Sequence, residues 1–217
     1  CAVLDFFSGS ASMAQAVMEK NAEDGGSRRF LLVQIPEETS GQFSTLTEIG
    51  EERIRRAGAK IAADIDKENE QLELGAEPKP YPDLGFRCLR IDSSNFKDFY
   101  LTPGKTAQEN LFDFADNVKE GRSDLDLLFE VLPKLGIPYS AKIEERMLAG
   151  KKVFFVDGDK LAACFDANVG SDTIEVMAKA KPRYAVVRDS SMADDATHAN
   201  YKELFRTYSP DTVPQVI

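Results

Sequence analysis

Asp5, Phe7, Gly9 and Ala11 follow one another at every second position near the start of the chain, inside the stretch VLDFFSGSASMA (3–14). An apolar run of Val3, Leu4, Phe6 and Phe7 breaks at Ser8-Gly9-Ser10. Met13, Ala16, Val17 and Lys20 then recur at helical spacing. This reads as strand, tight turn, helix. At such a junction the free N–H groups of the helix's first turn face outward and the helix dipole favours negative charge, so the turn can hold a polar or anionic ligand. In open α/β sheets, ligands sit at this carboxyl edge of the strands. Gly9 lets the backbone turn and lets a ligand approach without a Cβ in the way. Ala11 is unstrained at negative φ and strained by about 1–2 kcal/mol at positive φ. Were that cost met only in the bound state, binding would weaken about tenfold per 1.4 kcal/mol. A methyl group aimed at the ligand would weaken it too. The same residue types also serve turns that bind nothing.

The elements that must position this turn follow in order. The first helix runs from about Ser12 to Asn21 and stops before Gly25-Gly26. RRFLLVQIP reads as a strand buried on both faces, because its apolar run is continuous, as in a parallel central strand, and Pro36 ends it. Residues 38–47 are a polar loop. Thr47 then caps a long helix whose stripe, Ile49, Ile54, Ala57, Ile61 and Ile65, faces the core. GAEPKPYPDL is a stiff, exposed link. GFRCLRI is a third strand, with Asp92 at its carboxyl end. A second region starts near Thr102. KTAQENLFDFADNVKEG puts Leu111, Phe114 and Val118 on one helical face, and SDLDLLFEVLPKLG is a helix capped by Ser123 and stopped by Gly136. KKVFFVDGDKLAACFD is a β-hairpin turning at Asp157-Gly158-Asp159. Helix SDTIEVMAKAKP, strand YAVVRDSS and helix ADDATHANYKELFRTY follow, and TVPQVI closes as an edge strand suited to Pro214. The fold class is therefore α/β, with residues 1–101 and 102–217 as two domains.

At 42% hydrophobic and 29% charged residues, this is an ordinary globular composition. It contains no apolar run long enough for a membrane span. The net charge of −10 is spread over both halves, so the chain by itself lacks the basic footprint of a DNA-binding protein. Arg53, Arg55, Arg56 and Lys60 are interleaved with Glu51 and Glu52 and read as a solvated helix face. Cys1, Cys88 and Cys164 suggest reduced thiols of a cytoplasmic protein, and a single His without a Cys pair gives no zinc site. His198 reads as an exposed structural residue. Asp157, Asp159, Asp194 and Asp195 read as turn and helix-start residues. An opening almost directly on a strand, at Cys1 rather than Met, suggests a piece of a longer protein.

The pattern Asp5-x-Phe7-x-Gly9-x-Ala11 resembles the Asp-x-Phe-x-Gly-x-Gly motif with which amino-group DNA methyltransferases bind S-adenosylmethionine. The longer stretch VLDFFSGSASMAQAVMEKNAEDGGSRRFLLVQIPEE is similar to the modification subunit of type III restriction–modification systems. So are ERIRRAG, GFRCLRIDSSNFK, DLLFEVLPKLGIP, LAACFD and VVRDSSMADDA. The chain departs from that family at Ser10-Ala11-Ser12-Met13, where Ser-Gly-Thr-Thr is usual. The resemblance implies a Rossmann-like methyltransferase sheet, here only in part, followed by a small α/β C-terminal domain. It implies that S-adenosylmethionine is held by Asp5, Phe6, Phe7, Ser8, Gly9, Ser10 and Ala11, with Gln34 or Glu37 at the ribose hydroxyls. Asp92 either faces the adenine amino group or caps the Ser93-Ser94-Asn95 turn. The partners implied are DNA, a second modification subunit paired through the C-terminal domain, where Phe154, Phe155, Phe165 and Val186 are plentiful apolar residues, and a restriction subunit. The family's catalytic Asp/Asn-Pro-Pro-Tyr loop has no counterpart in this sequence. Two other readings compete. Gly9-x-Ala11-x-x-Ala14 mimics a nicotinamide Rossmann glycine pattern, although Glu37 and Glu38 come late for its ribose position. A relaxed cofactor loop would instead leave a non-catalytic assembly module.

Overall fold

The computed structural model describes residues 1–73, 75–97 and 117–217. The chain is α/β and divides into two compact units, Cys1–Ile91 and Asp92–Ile217.

In the first unit, β1 (Ala2–Asp5) and β2 (Arg29–Leu32) pair in parallel, Leu4 opposite Leu31. Between them runs α1 (Ser12–Asp24), closed by Gly25 in the left-handed conformation at φ 67°. Its buried face is Ala14, Val17, Met18 and Asn21. Of Met13, Ala16, Val17 and Lys20, whose spacing marks the helix in the sequence, only Val17 lies on that face; the other three are exposed. The phase is set where the helix leaves Ala11, whose own side chain enters the core ahead of Ala14 and Met18. The long helix α2 (Leu46–Glu70) starts earlier than expected. Thr45 is its cap, accepting from the Glu48 N–H at 3.3 Å, and Thr47 lies inside, its hydroxyl 2.8 Å from that of Thr45. The stripe Ile54, Ala57, Ile61 and Ile65 is buried as expected, with Ile49 half-buried. It packs with Phe30 and Leu32 from the inner face of β2.

The RRFLLVQIP segment is not buried on both faces. Leu4, Leu31, Val33 and Ile35 on the outer face are exposed, Leu31 at 61%. A continuous apolar run records that both faces are hydrophobic, not that both are covered. GFRCLRI forms no strand either. A strand exists only through ladder bonds to a neighbour, and this segment lies against α2 instead. Leu84 and Phe86 pack on the core, the Arg55 guanidinium sits 5.5 Å over the Phe86 ring, and the Cys88 thiol donates to Glu51 at 3.0 Å. The proline link is largely exposed, as expected, and is tied back to α2. The side chain of Asn69 bonds both the N–H and the C=O of Lys79, and the Tyr81 hydroxyl donates to Asp66.

The second unit is built on a five-stranded sheet ordered β3 (Ile143–Leu148), β4 (Lys151–Val156), β5 (Leu161–Cys164), β6 (Tyr184–Val187) and β7 (Val213–Val216). The β3–β4 and β4–β5 pairs are antiparallel, and the β5–β6 and β6–β7 pairs are parallel. Helix α3 (Asp124–Lys134) covers one face, against Phe154, Val156, Leu161, Ala163 and Val186. Helices α4 (Ser171–Lys179) and α5 (Asp195–Tyr208) cover the other, against Val153, Phe155, Ala162, Cys164, Ala185 and Val187. Successive residues of β4 therefore serve opposite layers, which is why its apolar run is unbroken. Phe154, Phe155, Phe165 and Val186, the plentiful apolar residues of this domain, are all buried in these cores. The hairpin, α3, α4, β6, α5 and the β7 edge match expectation. The edge strand β3 had no expectation attached to it. Its signal is the Ala149-Gly150 turn, both residues at positive φ. Most of KTAQENLFDFADNVKEG, including Leu111 and Phe114, lies outside the described residues. Val118, expected on that helix, instead bridges Phe96 in antiparallel fashion. Among the described residues no helix is long and apolar enough to cross a membrane.

Candidate functional site

The turn after β1 is tied down by its own backbone and by the end of β2. The Ser8 N–H donates to the Val33 carbonyl at 3.3 Å, and the Ala11 N–H donates to the Ser8 carbonyl at 2.8 Å. The Gly9 N–H donates to Gln34 Oε1 at 2.8 Å, while Gln34 Nε2 donates to the Ile35 carbonyl at 3.0 Å. Asp5 Oδ1 accepts from the Phe7 N–H at 3.3 Å, and the Asp5 carbonyl accepts from Val33. Asp5, Phe7, Ser8, Gly9, Ala11 and Gln34 thus form one connected cluster, with Phe6 and Ser10 carried in its chain. Ser8 is buried, Ser10 is half-buried, and Phe6 and Phe7 are exposed, Phe7 at 83%. Glu37 stands apart. It is exposed, and its place is set by backbone bonds to Ile35 and Leu46.

Gly9 lies at φ 52°, and no described atom comes within 4 Å of where its Cβ would be, so the loop is open above it. Ala11 is also left-handed, at φ 61° and ψ 34°, and makes no side-chain cap for α1. Its methyl group is not on the open side. Ala11 is 2% exposed and belongs to the core with Ala14, Met18, Ile54, Ile61 and Ile65. Of the two costs a side chain here could carry, the geometry displays the conformational one. Directly beneath lies Gly50 of α2, buried; a methyl group placed there would sit 3.3 Å from Ala11 Cβ and 3.5 Å from the Gly9 carbonyl oxygen. Sequence reading passed over Gly50. The available signal was a lone glycine within a strongly helical run, which commonly marks close packing.

The remaining candidates are accounted for locally. Arg55 pairs with Glu51 at 2.8 Å and Arg56 with Glu52 at 2.6 Å, and Arg53 donates to Gln15 at 3.3 Å. These are the contacts of a solvated helix face. The bond to Glu51 pushes the Cys88 thiol above its ordinary range, with burial adding to the effect. Asp92 Oδ1 accepts from the Ser93 N–H at 2.7 Å and Oδ2 pairs with Arg122 at 3.0 Å, which fits the turn-capping alternative. Asp157 pairs with Lys160, and Asp194 caps α5 through the Thr197 N–H at 2.6 Å. His198, half-exposed on α5, contacts Asp189 at 2.6 Å. Among the described residues no three His, Cys, Asp or Glu side chains gather as metal ligands would.

No family model matches the chain. Among curated proteins, the Mod subunit of the type III restriction–modification enzyme StyLTI from Salmonella typhimurium is 32% identical over 167 residues. The match, 167 aligned positions long with its gaps, covers 67% of this chain and 22% of that relative, so the chain spans about a fifth of its length. It resembles one portion of a type III Mod subunit.

Proposed function

We propose that this chain is the S-adenosylmethionine-binding and C-terminal portion of a site-specific DNA adenine-N6 methyltransferase of a type III restriction–modification system. The observation that carries the reading is the likeness to a Mod subunit across two thirds of the chain. The loop supports it: it leaves the carboxyl end of a parallel strand, enters a helix, and is open above Gly9. These residues fit the cofactor. Gly9 and Ser10 offer backbone at close approach, and exposed Phe6 and Phe7 offer apolar ring faces. Gln34 Oε1 keeps a second lone pair for a ribose hydroxyl while holding the Gly9 N–H. Glu37 adds a carboxylate past the strand end. When bound, S-adenosylmethionine supplies an electrophilic methyl group; the chain's own residues hold and orient it. The target adenine must be flipped from the duplex, and its amine must be gripped by an Asp/Asn-Pro-Pro-Tyr loop that this sequence lacks. The chain alone therefore transfers no methyl group. DNA, a second Mod subunit and a restriction subunit are its proposed partners, in the cytoplasm.

Calorimetric titration with S-adenosylmethionine tests the reading. Saturable binding by the parent is expected, abolished in Gly9→Val, whose branched side chain fills the open side of a left-handed turn. Binding of a nicotinamide dinucleotide instead, or of neither, would sink it. Tritiated methyl transfer to duplex DNA by the chain alone would refute the second half of the proposal.

A further inference from the structure

Gly50 is buried in the second turn of a long helix otherwise rich in strong helix formers, where a glycine forfeits helix propensity. The geometry points to a reason: Gly50 is a positioning residue for the Ser8–Ala11 loop, and it is matched to alanine at position 11. This rests on the cofactor reading above. A Cβ at Gly50 would stand 3.3 Å from Ala11 Cβ, closer than ordinary van der Waals contact, and 3.5 Å from the Gly9 carbonyl oxygen. The two positions share one space, in which a second methyl group fits only if a neighbour gives by a few tenths of an ångström. In this chain residue 11 supplies the first and residue 50 leaves room. A second methyl group presses on Ala11 at 3.3 Å and makes ordinary contact with the Gly9 carbonyl, so the push enters at Ala11 and reaches Gly9, whose N–H is held by Gln34, along the chain. The displacement thus arrives where the cofactor would lie.

The test is a double-mutant cycle in the full chain: parent, Gly50→Ala, Ala11→Gly and the pair together, each titrated with S-adenosylmethionine and unfolded in urea. Gly50→Ala is expected to weaken cofactor affinity by about fivefold or more, and adding Ala11→Gly to restore it to within about twofold of the parent. A purely structural role for Gly50 would lower the urea midpoint without that recovery of affinity. Parent-like affinity in Gly50→Ala, or failure of Ala11→Gly to restore it, overturns the proposal. If the parent binds no S-adenosylmethionine, the cofactor reading fails on its own. The urea midpoints still decide the pairing, since additive shifts refute it and a non-additive recovery upholds it.

Discussion

At the scale of single residues, Ala11 shows how conformation and burial oppose each other. Its left-handed backbone costs about 1–2 kcal/mol, while its buried methyl group returns about 0.8 kcal/mol. Glycine at this position would also lose more chain entropy on folding, by about 0.4–1 kcal/mol. The terms nearly cancel. Ala11→Gly is therefore expected to change unfolding free energy by less than about 1 kcal/mol in urea. The Ala11 methyl group lies in the core, away from the open side above Gly9, so it does not meet a ligand there, and affinity in Ala11→Gly is expected within about threefold of the parent. A tenfold gain would mean that the loop rearranges on binding. Cys164 offers a second residue-scale test. Burial pushes its thiol up to about 11, whereas Cys1 and Cys88 are exposed. In a thiol-titration assay, Cys1 should react readily in the native chain, Cys88 more slowly because Glu51 holds its thiol protonated, and Cys164 only after denaturation. The sign of the linkage follows: the neutral thiol's contribution is full below the ordinary thiol range and is lost as pH rises toward about 11.

At the scale of elements, α3 begins with a reciprocal cap. Ser123 Oγ accepts from the Asp126 N–H at 3.3 Å, and Asp126 Oδ2 accepts from the Ser123 N–H at 2.7 Å. The Ser123 N–H, and the Ser123 hydroxyl, which donates to the same Oδ2 at 2.8 Å, hold the Asp126 carboxyl below the usual range. Ser123→Ala should cost about 1 kcal/mol at neutral pH. Because the folded-state value is depressed, the cap's ionic share is present above the ordinary aspartate range and fades as pH falls through the lowered one. The deficit of Ser123→Ala in urea unfolding should narrow on that descent; a constant deficit would assign it to the hydroxyl alone. Ser123 and Gly136 mark their helix plainly in sequence, because caps and stops are local chemistry. The same holds for Asp157-Gly158, whose left-handed pair turns β4 into β5. GFRCLRI misled because its composition suits a strand, but a strand also requires a neighbour, which no local pattern reports. The helical spacing of Met13, Ala16, Val17 and Lys20 marked α1 but not its buried face, whose phase follows from Ala11 entering the core just outside the helix. Within the candidate site, Gly9 and Gln34 were legible by type and spacing. The bond between them and the seat of Ala11 on Gly50 join residues 25 to 39 positions apart and left only weak traces in the sequence.

At the scale of the whole molecule, charge and surface govern what the chain does in solution. A net charge of −10, with Arg55 and Arg56 already paired to glutamates, leaves little to replace the counterions of DNA. No mobility shift of duplex DNA is expected at physiological salt; a clear shift would reveal a basic surface that the pairing pattern hides. The outer face of β1 and β2 has another consequence. Leu4, Leu31, Val33 and Ile35 form an apolar strip on an otherwise acidic chain. Sulfate salts screen the repulsion between copies and strengthen the burial of such strips, so the strip is expected to contribute to the chain's salting-out threshold. Leu31→Lys, at a solvent-facing position, should leave the urea midpoint unchanged and raise the ammonium sulfate concentration at which turbidity begins. An unchanged threshold would show that copies meet through some other surface, and that the hydrophobic half of this small sheet is too narrow to govern solubility.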